Sequence, residues 1–393
     1  MSTRERIGVV LGPKAAAALA AGEPVVALET TLVAHGFPSG QGGQVAAQAE
    51  ERVRAAGAIP ATVGVLDGAV RVGLGAREIA RLADAGASAR KVGPRDLAAC
   101  AVQRALGATT VGATLVACRA AGIRFLATGG IGGVHRGFPS PPDVSADLAE
   151  LARSQVVVVC AGAKSLLDVP ATAEALETLG VPLLGWRADT LPLFYSARGG
   201  PPVAARVESP EETARIARLH WRLGGGALLV ARPPEPGLED VEDLIRQAVA
   251  AAQRDGARGP ALTPYALAFL HRESGGRTLA VNRELCWRTP RWRHGWRSRT
   301  GRSARIERPG LGAFRPPRQV DMRGSTNQVR RRRSFRGMRV DSERREATPA
   351  APAVPMACWL HDGGGSANGI VRAVARTAGA TGRAPPVRPR RPQ

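Results

Sequence analysis

The sequence predicts a layered α/β domain followed by a basic tail, and three observations carry that prediction. Short β-branched apolar runs alternate with segments of helical spacing from residue 24 to residue 284. That is the pattern of a mostly parallel or mixed sheet covered by helices. The strongest run, Val156–Cys160, is four valines and a cysteine, and it reads as a strand buried on both faces. Charge is also unevenly spread. The chain carries a net +22, and residues 285–393, with 25 arginines, no lysine and six acids, hold +19 of it.

The elements follow in chain order. Lys14–Ala21 has helical spacing, and Pro24–Leu28 is a buried strand that ends on Glu29. Thr30, Thr31, His35 and Gly36 predict a turn-rich loop, and Gly40–Ala56 a helix. Asp67-Gly68 between two apolar runs, Ala61–Leu66 and Ala69–Val72, is a strong hairpin signal. Ala76–Ala85 predicts a helix, Lys91–Leu97 a polar loop whose Pro94 opens the next helix, and Thr109–Ala121 a helix of small residues. Arg124–Thr128 is a strand, and the glycine-rich loop Gly129–Gly137 follows it. Such a loop can present backbone N–H groups to an anion, or simply turn the chain. Asp143–Ser145 leads into a helix that reaches about Arg153.

Beyond the valine strand the alternation continues. Thr172–Leu179 is a helix and Val181–Trp186 a strand; Leu191–Gly200 is an aromatic-bearing loop. Ser209 caps a helix that runs to Leu223 with Pro210 at its first position. Gly226–Ala231 is a strand, and Leu238–Arg254 and Thr263–Arg272 are helices.

The valine strand leads through Ala161-Gly162-Ala163 to Lys164, at the carboxyl end where open α/β sheets place their ligands. The chain has only three lysines, Lys14, Lys91 and Lys164, against 52 arginines. Arginine serves where a fixed charge is enough; lysine can lose its proton and attack a carbonyl carbon. The alternative for Lys164 is a solvated or phosphate-binding ammonium.

Composition excludes several classes. Residues 1–284 carry a net charge of only +3, too small an excess to indicate a nucleic-acid partner for the body of the chain. No apolar run reaches the ~18–20 residues of a membrane span, and no export cleavage site follows the alanine-rich run Ala15–Ala21. Five widely spaced cysteines without a CxxC pattern predict a reducing compartment, the cytoplasm.

The motifs then identify a relationship. Ala27–Thr31, Pro60–Gly68, Lys91-Val92 with Arg95–Leu97, Gly107–Val111, Ala127–Gly137, Asp143–Leu148 and Val159–Ser165 together resemble the pseudouridine-5′-phosphate glycosidase family, also called pseudouridylate synthase or indigoidine synthase A-like. The resemblance spans about residues 6–284. It implies a three-layer α/β/α fold, a homotrimer, and the reversible cleavage of pseudouridine 5′-phosphate by water to uracil and ribose 5-phosphate with a manganese ion. Residue by residue, Lys164 matches the nucleophile, Glu29 the proton donor and Asp143 the metal ligand. Lys91, Val111 and Ser145-Ala146-Asp147 match substrate-binding positions, and Thr128, His135 and Asn282 fall in motifs near the site. Two rival functions are another Schiff-base lyase acting on a sugar phosphate, and an RNA-binding protein that uses the basic tail on a degenerate enzyme scaffold.

The sequence departs from the family pattern at Thr30, where serine is usual, at Gly93-Pro94, and in the stiff run Phe138–Pro142. The large departure follows Asn282. Residues 285–393 hold four of the six tryptophans and the run Arg330–Arg333, with no helical or strand period. This composition predicts a disordered tail. It is a nucleic-acid arm, an extension without function, or the product of a shifted reading frame, and the abrupt change favours the last. The coding DNA tests this. An alternative frame after codon 282 is expected to encode an apolar helix, and its absence would rule out the frameshift.

Overall fold

The computed structural model describes residues 8–287 except 39, 141, 239 and 258–261. These residues belong to one compact unit. The chain begins β1 (Val9–Leu11), α1 (Pro13–Ala21), β2 (Val25–Leu28), α2 (Thr31–His35), α3 (Gly42–Ala55), β3 (Ile59–Leu66), β4 (Ala69–Val72) and α4 (Ala76–Ala85). It continues β5 (Arg90–Val92), α5 (Leu97–Val102), β6 (Gly107–Thr109), α6 (Val111–Ala121), β7 (Phe125–Ala127), α7 (Ala146–Arg153) and β8 (Val157–Cys160). Then come α8 (Val169–Thr178), β9 (Leu183–Trp186), β10 (Ala205–Val207), α9 (Pro210–Arg222), β11 (Leu228–Ala231), α10 (Glu242–Arg254), α11 (Leu262–Glu273) and α12 (Arg277–Trp287).

The strands form one mixed sheet in the order β1-β4-β3-β2-β7-β8-β11-β9-β10, with β6 added on β3 and β5 on β6. The run from β3 to β10 is parallel throughout. The antiparallel pairs, β3 with β4 and β3 with β6, sit on the far half of β3. The β3–β4 hairpin turns on Asp67 and Gly68, both with positive φ (54° and 88°), as the two central residues of a primed hairpin turn require.

Strand alternation divides the core into layers. In β8, Val157 and Val159 pack with α9, while Val158 and Cys160 pack with α1, α5, α6, α7 and α8. In β11, Leu228 and Val230 face α9, and Leu229 and Ala231 face the other helices. Leu28 of β2 and Ala127 of β7 meet Ala49 and Val53 of α3 on the α9 side. The valine strand is thus buried on both faces, and the predicted three layers are present. A separate cluster joins α10, α11 and α12 to Ala161, Leu166, Phe194 and Tyr195, so the last three helices cap the loops after β8 and β9. Among the described residues no helix is long and apolar enough to cross a membrane. Burial pushes the Cys118 and Cys160 thiols up to about 12, which marks them as core residues.

Several local readings need correction. Thr31–His35 is a short helix, not a loop, because the turn Gly36 closes lets the Gly36 amide donate to Leu32. Lys91 lies on β5, and Thr109 ends the strand Gly107–Thr109 rather than starting a helix; Thr110 caps α6 instead. Both strands are three residues long, too short to show a period. Helix α12 carries on through Trp287, three residues past the expected boundary at 284, with Leu285 buried in the helical cluster. From residue 288 onward the predicted disordered tail lies outside the described residues.

Folding also holds two histidines in their neutral form. Burial lowers the pKa of His220 on α9 and of His271 on α11. The unfolded chain therefore binds more protons below an ordinary imidazole pKa of about 6.5, so stability is full above that pH and is lost as the pH falls toward the lowered folded values. The thermal midpoint should drop on acidification from about pH 6.5, and the drop should shrink in His220→Gln. A midpoint independent of pH in this window would contradict the burial of these rings.

Candidate active site

Strands β2, β7, β8 and β11 are parallel neighbours, so their carboxyl ends share one edge of the sheet. Glu29 follows β2, Thr128 follows β7, and Lys164 lies four residues after β8. Glu29, Lys91, Lys164 and Asn282 line one cleft together with Thr31, His35, Phe194 and Leu267. The cleft spans about 720 Å³ when the open solvent at its mouth is counted. Two of the three lysines in the whole chain meet there.

Glu29 is 5% exposed. Its Oε1 accepts from the Thr128 hydroxyl at 2.7 Å and its Oε2 from the Thr31 hydroxyl. The neighbouring Thr30 hydroxyl donates to the Val63 carbonyl (2.7 Å) and accepts from the Thr109 amide (2.9 Å). Threonine at this departure thus uses its hydroxyl to tie β2, β3 and β6 together.

The glycine loop spends its amides inside the protein. Gly132 N–H donates to Asp147 Oδ2 at 2.8 Å, Val134 N–H to Thr172 Oγ1 at 3.0 Å, and His135 N–H to the Asp143 carbonyl at 3.0 Å. Ile131 N–H donates to the Gly162 carbonyl, and the Ile131 carbonyl accepts from the Lys164 amide, both at 3.1 Å. These four amides are not left for an anion; the loop instead laces the lysine loop to the start of α7. Gly130 must be glycine because a Cβ there would lie 2.7 Å from the Phe194 ring. Phe194 itself has a φ of +66°, a strained conformation for a bulky residue, and it forms part of the cleft wall.

Val111, Ser145, Ala146 and Asp147 are not among the residues that line the cleft. Asp147 is buried, and both its oxygens are taken by amides, those of Gly112 (2.7 Å) and Gly132. The Val111 side chain is fully buried at the first turn of α6, so what it can offer a ligand is main chain. Ser145 caps α7, accepting from the Asp147 amide, and Ala146 is exposed beside it. Asn282, on α12, approaches His271 Nε2 at 3.3 Å. His35, Phe194 and Leu267 line the cleft without belonging to any of the expected site residues. Phe194 and Leu267 reach the cleft through tertiary packing, which no local pattern signals; His35 belonged to a residue group already noted, five positions after Thr30.

Electrostatics couple these groups. Burial lowers the Lys91 pKa, and the charge of Lys164 lowers it further, while Asp147, Glu29 and Asp143 pull it up. Lys91 is exposed to solvent, which moderates the effect. Burial and then Lys91 lower the His35 pKa, and its Nε2 is buried without a hydrogen-bond partner among the described residues. The imidazole of His35 is therefore neutral near pH 7.

No group of three His, Cys, Asp or Glu side chains able to hold a metal occurs among the described residues. The Asp143 carboxylate is 38% exposed, and its Oδ2 stands 3.9 Å from His135 Nδ1, a buried nitrogen without a hydrogen-bond partner among the described residues. That gap is too long for a direct hydrogen bond. One solvent-accessible carboxylate suits a hard divalent cation that keeps most of its water.

The indigoidine synthase A like protein family matches residues 14–291. The chain is 46% identical over 282 residues to the pseudouridine-5′-phosphate glycosidase of Herpetosiphon aurantiacus, covering 70% of this chain and 93% of that protein. It is 48% identical over 273 residues to the glycosidase of the same name from Chloroflexus aurantiacus, covering 67% and 90%. Among solved structures, prealnumycin C-glycosynthase in complex with ribulose 5-phosphate superposes with a TM-score of 0.66 at 37% identity, over 72% of this chain and 93% of that one. An indigoidine synthase A-like protein from Thermotoga maritima superposes with a TM-score of 0.62 at 34% identity, over 71% and 91%. A match over this much of the chain, by sequence and by fold, places the protein in the indigoidine synthase A-like family.

Proposed function

We propose that this protein is an enzyme that cleaves pseudouridine 5′-phosphate with water, reversibly, to uracil and ribose 5-phosphate. The observation that carries this reading is the meeting of Lys164, Lys91 and Glu29 in one cleft, in a chain whose relatives bear the glycosidase name.

The bond to break joins ribose C1′ to a uracil carbon, so the leaving group needs an electron push. Glu29, held by two threonine hydroxyls, gives a proton to the ribose ring oxygen as Lys164 in its neutral form attacks C1′ and the ring opens. Protonation at uracil C5 then lets the C1′–C5 bond break. The Lys164 nitrogen supplies the electron pair and is left as an imine to C1′. Water hydrolyses the imine, freeing ribose 5-phosphate and the amine. Lys91 is the cation for the phosphate. Thr128 orients Glu29; Asn282 and His135 bind substrate at the cleft and its rim, and Val111 and Ser145–Asp147 bind it through the segment ends they build.

Asp143, with His135 beside it, would hold a manganese ion, one per subunit. Such an ion would supply a hard positive charge to stabilise anionic oxygens. We further assign the protein to nucleobase catabolism in the cytoplasm, and to a homotrimer. The bond-forming direction is a second reading, favoured by the ribulose 5-phosphate complex of the related C-glycosynthase; uracil dependence of synthesis separates it from other sugar-phosphate chemistry.

The test is uracil release from pseudouridine 5′-phosphate with added manganese. Lys164→Arg should lose on the order of 10³-fold or more in kcat, and Glu29→Gln about 10²–10⁴-fold. Folded wild-type protein that frees no uracil, or a Lys164→Arg variant at the wild-type rate, would contradict the reading.

A further inference from the structure

Arg136 ends the glycine loop and reaches under the lysine loop. Its Nε donates to the Leu167 carbonyl at 3.2 Å, and its Nη2 donates to the Ser165 carbonyl at 3.2 Å and to Glu242 Oε1 at 2.8 Å. The Leu167 amide in turn donates to the Lys164 carbonyl at 3.0 Å. His135 and Leu167 pair as an antiparallel bridge, and Ile131 and Ala163 as a parallel one. The turn that carries Lys164 is therefore held on one side by the glycine loop and from below by a guanidinium.

Glu242 is the first residue of α10, the leading helix of the C-terminal cap. That cap packs Val241 and Ile245 against the same cluster as Ala161 and Leu166, on either side of Lys164 in sequence. Arg136 and Glu242 are 30% and 44% exposed at their side chains, and ion pairs this exposed add little to stability. What the guanidinium does fix is geometry. Its donors form a rigid planar fork, and here the fork spans two carbonyls and a carboxylate that a lysine ammonium could not span in the same way.

We propose that Arg136 is a positioning residue for Lys164, and that its pair with Glu242 transmits the docking of α10 to the nucleophile's loop. The proposal rests on the reading of Lys164 as the nucleophile. A misplacement of about 1 Å in a reacting group costs on the order of 10²-fold in rate, so a loosened turn registers in kcat.

The experiment compares wild type, Arg136→Ala, Arg136→Lys and Glu242→Gln in the full-length chain. Arg136→Ala is expected to lose about 10–100-fold in kcat with KM changed by less than about threefold, and added guanidinium ion should restore part of the loss. Arg136→Lys should recover less than guanidinium does, and Glu242→Gln should fall a few-fold, since its amide keeps one acceptor. Amide exchange in residues 161–168 should quicken in Arg136→Ala while exchange in the sheet stays unchanged. Wild-type kcat in Arg136→Ala overturns the proposal. So does a loss that guanidinium does not rescue and that follows a general fall in thermal midpoint. Wild-type protein without uracil release would overturn the reading of the site, and the exchange measurement would still decide the clamp.

Discussion

A buried carboxylate must have both oxygens bonded, and the way Asp147 meets that demand organises the site. Its Oδ1 takes the Gly112 amide from the first turn of α6, and its Oδ2 takes the Gly132 amide from the loop after β7. Leaving such a group half-satisfied would cost about 1–3 kcal/mol or more. The close approach needs glycine. A Cβ on Gly132 would stand 2.3 Å from Ser145 Oγ and 2.9 Å from Asp147 Oδ2, and one on Gly112 would stand 2.9 Å from Asp147 Oδ1. Pinned in this way, the glycine loop offers the Ile131 carbonyl to the Lys164 amide and sends Arg136 beneath the same turn.

The chemistry depends on that scaffold because the cleft concentrates charge. Two ammonium groups and one carboxylate line it, and the Lys164 charge is among the causes that lower the Lys91 pKa. A chain with 52 arginines and three lysines places two of its lysines here. Arginine would supply the same charge without the ability to become a nucleophile, so the composition and the geometry agree.

Much of this was legible in the sequence where a local pattern repeats. The valine strand, the Asp67-Gly68 hairpin, the helix at Ala76–Ala85 and the Ser209 cap emerge because period, turn chemistry and capping are local properties. The three-residue strands β5 and β6 did not, since three residues show no period. That Asp147 serves two segments 15 and 35 residues away is a fact of tertiary packing, and a motif match registers the residue without its partners. The glycine pattern left an anion cradle and a plain turn both open, and only the fold shows that four of the loop's amides are bonded within the protein. Phe194 and Leu267 enter the cleft from distant elements, so no local signal marked them. Asn282 was found by its motif, while its place on a continuing helix was hidden by the composition change that follows it.

The central claim is that Lys164 bonds covalently to the sugar. Incubating the protein with ribose 5-phosphate and borohydride, then mapping peptides by mass, tests it directly. The account predicts one reduced ribose 5-phosphate adduct on Lys164, absent from the Lys164→Arg variant. No mass increase at Lys164, or an adduct at Lys91 instead, would contradict it.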